Sequence, residues 1–147
     1  MVGAICGEVA LATTGLTTAP SSFGQSETIQ RLNAVIEAAG MTVFAKINHA
    51  AAAEDVHLAL RPTELVIFGN AKGGTPLMQA CQAIGIDLPL KVLVYQEVSG
   101  KVQVAYNDPN WLAERHRLGV ALAPAVAAIT AALKMIVARS TGSHTPP

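Results

Sequence analysis

The sequence predicts an α+β fold in two layers, a mixed or antiparallel sheet of four to five strands covered by helices. Three observations carry that expectation: apolar residues step by three and four in several segments, they alternate or run continuously in shorter segments between, and the two kinds of segment interleave. The order reads strand, helix, strand, helix, strand, helix, hairpin, helix, helix. With 147 residues, 51% of them hydrophobic, the chain has the size and the apolar content of one domain.

The opening stretch MVGAICGEVALA has no basic start and carries Glu8 inside its apolar run, so it reads as a first strand and not as a secretory signal. Glu27 to Ala39 places Ile29, Leu32, Val35 and Ile36 on one helical face, with Ser26 as N-cap and Gly40 as the stop. The next stretch alternates: Val43, Ala45 and Ile47 point one way and Thr42, Phe44 and Lys46 the other. His49 shares the parity of Val43, which aims it at the covered face from the strand's end. AAAEDVHLAL, residues 51–60, is a short helix candidate, and PTELVIFGN is a strand whose continuous apolar centre suggests burial on both sides.

FGNAKGGTPLMQ then poses the sharpest chemical question, because a glycine-rich turn before a helix can hold a phosphate. Thr75 and Pro76 are expected to open that helix, with the glycines supplying a tight turn and Gly85 the close. LKVLVYQEV and KVQVAYN flank Ser99-Gly100, which reads as a two-residue hairpin turn. That register would set Val92, Val94 and Val98 on one face and Leu93, Tyr95, Val102, Val104 and Tyr106 on the other. Asp108 caps a helix with Pro109 in its first position.

From Leu118 to Ala138 the chain is apolar enough for a membrane span, but Pro124 and Lys134 argue for a water-soluble amphipathic helix. Leu122, Val126, Ile129, Leu133 and Ile136 draw one stripe, with alanines behind it. The tail from Ser140 to Pro147 is polar and expected to fray. Strand order stays open, since the links after His49 and Asn70 suit either parallel crossovers or an antiparallel meander.

Charge and thiols narrow the function classes. Ten basic and ten acidic residues cancel, which removes the main source of nucleic-acid affinity. Cys6 and Cys81 are too few and too far apart for a disulfide framework or a zinc site, and they favour a reducing, cytoplasmic setting. Lys72 precedes Gly73-Gly74, the reverse of the order a Walker loop needs, so no nucleotide hydrolysis is expected.

The segment from Ala45 to Gln96, with the stretch around His49, FGN, GTPLM and DLPLKVLV, followed by VAYNDPNWLAERHRL, resembles the domain-of-unknown-function family DUF302 over about Gly15 to Leu118. The Ala-rich helix, about 119–139, and the tail, 140–147, follow that core within the same single domain. The resemblance implies a TATA-binding-protein-like architecture, a homodimer, and no activity assigned to the family. Ala71 stands where the family often has proline, which leaves that turn less rigid.

Two functional expectations follow. One is a noncatalytic homodimeric interaction domain, because a sheet apolar on both faces must cover both. The other is a pocket for a small anionic ligand, or an enzyme using it, formed by His49, Asn70, Lys72, Gly74, Thr75 and Asp108. Glu54, Asp55 and His57 read as solvated charge on a short helix. Cys81 reads as a core residue. No cofactor, metal, nucleic acid or membrane is expected.

Overall fold

The computed structural model describes residues 14–143. The first strand expected in MVGAICGEVALA, with Cys6, and the last residues of the tail lie outside them. Five strands form one sheet: β1 (Leu16–Pro20), β2 (Thr42–Asn48), β3 (Thr63–Gly69), β4 (Leu90–Gln96) and β5 (Val102–Asn107). Their order is β1-β5-β4-β3-β2, every pair antiparallel. The antiparallel alternative is therefore the one realised, and β1 and β2 are the two edges. The layout is compatible with the TATA-binding-protein-like architecture.

The helices are α1 (Gln25–Ala38), α2 (His49–Asp55), α3 (Ala71–Ala80), α4 (Pro109–Arg115) and α5 (Ala123–Thr141). Leu32 and Ile36 of α1 and Leu133, Ile136 and Val137 of α5 meet Val66, Phe68, Val92, Val94, Val102, Val104 and Tyr106 of the sheet in the main core. A second cluster joins Leu77 and Ile84 to Val126. Fully burying each such side chain contributes roughly 1.5–3 kcal/mol.

In α5 the expected stripe is the buried one, and Ala123, Ala127 and Ala131 face solvent. Pro124 fits because it falls in the first turn, where no intrahelical donor is lost. Over Val120–Thr141 the chain is long and apolar enough to cross a membrane by length and composition, while here its stripe packs into the core. Contrary to the frayed tail, Ser140 and Thr141 are helical and wholly buried, their hydroxyls donating to the carbonyls of Ile136 and Val137. Ser22 N also donates to Thr141 O at 2.9 Å.

Three local features depart from the alternation pattern. A bulge falls between Val43 and Ala45, so Val43 packs on the core while Ala45 and Ile47 turn to the opposite face. The hairpin is not closed by Ser99-Gly100 alone: Glu97 N donates to Lys101 O at 2.8 Å, leaving a three-residue loop with Gly100 at φ 87°. One residue of loop length reverses the expected faces. Tyr106 pairs with Val92 and Val104 with Val94, which puts Val92, Val94, Val102, Val104 and Tyr106 together in the core and Leu93, Tyr95 and Ala105 on the other side.

The third is the start of α3. Asn70 is its N-cap, accepting from Lys72 N at 2.8 Å, and Gly73 and Gly74 lie inside the first turn. Neither has positive φ. Thr75 is thus within the helix and the glycines form no turn. Likewise α1 starts at Gln25 with Gly24 as N-cap, and Ser26 makes no cap.

Candidate functional site

Antiparallel pairing distributes the proposed pocket residues between two ends of the sheet. β3 and β5 run the same way, so Asn70, Lys72, Gly74 and Thr75 share one end with Asp108, about 10 Å apart across the intervening β4. β2 runs oppositely and carries His49 to the far end. His49 is also exposed, because the bulge changed its parity and the strand stops at Asn48. Asn70 and Asp108 spend their side chains on helix caps, Asp108 Oδ1 accepting from Asn110 N at 2.9 Å. Lys72 and Thr75 are exposed.

Glu54 and His57 do not share a helical face. His57 lies beyond α2 at φ 61°, and the helix closes there with Leu58 N donating to Ala53 O at 2.9 Å. Among the described residues no three His, Cys, Asp or Glu side chains gather closely enough to hold a metal ion.

One polar cluster was not anticipated. Asp87, just before β4, accepts from Arg115 Nη1 at 3.1 Å and pairs with His116 Nε2, whose side chain is 8% exposed. Lys91 Nζ donates to the carbonyls of Asp87 and Pro89. The cluster ties the entry to β4 to the end of α4, 29 residues away, and only the long-range pairing of β4 with β5 brings the two together. Nearby, burial above all, then the charge of Asp108, raises the Tyr106 pKa above its ordinary 10.0, against a lowering hydrogen bond with Thr17.

The surface is where the fold is incomplete. On the sheet side away from α1 and α5, cross-strand pairs align Ile47, Leu65, Leu93 and Ala105 in one row and Ala45, Ile67 and Lys91 in the next. Leu65, Ile67, Leu93 and Tyr95 belong to neither core cluster. Beside this face, residues 44–62 are exposed throughout except for the partly buried Ala50 and Ala53. They hold five of the nine large exposed apolar residues among those described, Phe44, Ile47, Val56, Leu58 and Leu60. An open groove of about 730 Å³ runs between α2, Arg61 and Gln25 at the start of α1.

These features define a small α+β domain with an apolar open sheet face and no converged reactive groups among its described residues. Residues 17–136 match the domain of unknown function DUF302, and the chain belongs to that family. The crystal structure of an uncharacterised conserved DUF302 protein from Bacillus stearothermophilus is similar in fold, with TM-score 0.77 and 23% identity, covering 86% of this chain and 98% of that one.

Two relatives are 46% identical over 115 residues, 78% of this chain: a fluoride-specific ion channel FluC 1 of Brucella suis biovar 1 (strain 1330) and another FluC 1 of Brucella abortus biovar 1 (strain 9-941). The chain spans 45% and 43% of their respective lengths. Ion channels are membrane proteins, so these relatives overturn the cytoplasmic expectation. Two separated thiols speak to redox state alone, and a reducing compartment also borders membranes.

Proposed function

We propose that this domain is a noncatalytic, homodimeric interaction module whose contact surface is the open face of the sheet. The observation that carries the reading is the row Ile47, Leu65, Leu93 with Ile67 beside it, apolar and covered by no helix among the described residues. Five strands of about six residues make a face of about 24 by 20 Å. Two such faces in contact bury about 1,000 Å², the threshold of a specific interface. Among the described residues the face carries one cation, Lys91, whose Nζ donates to the carbonyls of Asp87 and Pro89, so a second copy meets little repulsion.

The names of the longer relatives add a setting. Among the described residues the sheet is open, with edges at β1 and β2 whose backbone groups hydrocarbon cannot satisfy. The module therefore stands outside the bilayer, joining copies of a larger protein, and ion conduction belongs to the part of those relatives that this chain does not span. Light scattering of Leu93→Lys tests the reading: the variant is expected to stay folded and lose the dimer, and a variant that remains dimeric excludes this face.

A further inference from the structure

We draw no further inference here: the strongest candidate, the open groove of about 730 Å³ between α2, Leu58, Leu60 and Arg61, is an exposed surface for which nothing in the structure shows what covers it.

Discussion

Gly73 and Gly15 show how differently one residue type can be held. A Cβ on Gly73 would meet nothing within 4 Å, and its φ is not in the left-handed region. Gly73→Ala should therefore raise stability by about 0.5–1 kcal/mol in urea unfolding. Gly15 stands at φ 69° with the Trp111 ring 2.2 Å from where a Cβ would sit. Gly15→Ala should cost about 2–4 kcal/mol from backbone strain and overpacking together. Tyr106 makes a pH prediction. Its pKa is raised in the fold, so its contribution is complete below pH 10.0 and is lost as pH rises through the folded value. Unfolding midpoints from pH 8 to 11 should fall at the alkaline end, and less steeply for Tyr106→Phe. Removing His116 leaves Asp87 with Arg115 alone, and His116→Ala should cost about 1–3 kcal/mol.

The elements test the register directly. Val94 is wholly buried, whereas its neighbour Leu93 lies on the open face. Val94→Lys should abolish cooperative unfolding and Leu93→Lys should leave it intact, as circular dichroism melts would read. The reverse result would restore the two-residue turn. Helix positions were legible in sequence because periodicity is a local property: α4 begins where Asp108 and Pro109 indicate, and α5 buries the stripe its spacing draws. Facing was not legible wherever one residue changes the count. The bulge at Phe44 is invisible to alternation, and together with the end of the strand at Asn48 it moves His49 off the covered side. The loop after Gln96 is longer by one residue than Ser99-Gly100 suggests, because Glu97 and Lys101 pair with each other. The site was least legible. Strand order decides that His49 and Asn70 are at opposite ends, and no spacing in the chain encodes strand order.

Across the described residues, one side of the sheet is closed by α1 and α5, and the other is the face proposed above to meet a second copy. Balanced charge of ten basic and ten acidic residues gives no long-range repulsion between copies. The relatives named as fluoride-specific ion channels are longer than this chain, which spans 45% and 43% of their lengths, and the proposed module that joins copies is compatible with such longer proteins. Sedimentation equilibrium at micromolar concentration tests the central claim most directly. A species of twice 15.2 kDa is the expected result, and a single species of 15.2 kDa across the whole concentration range would contradict it.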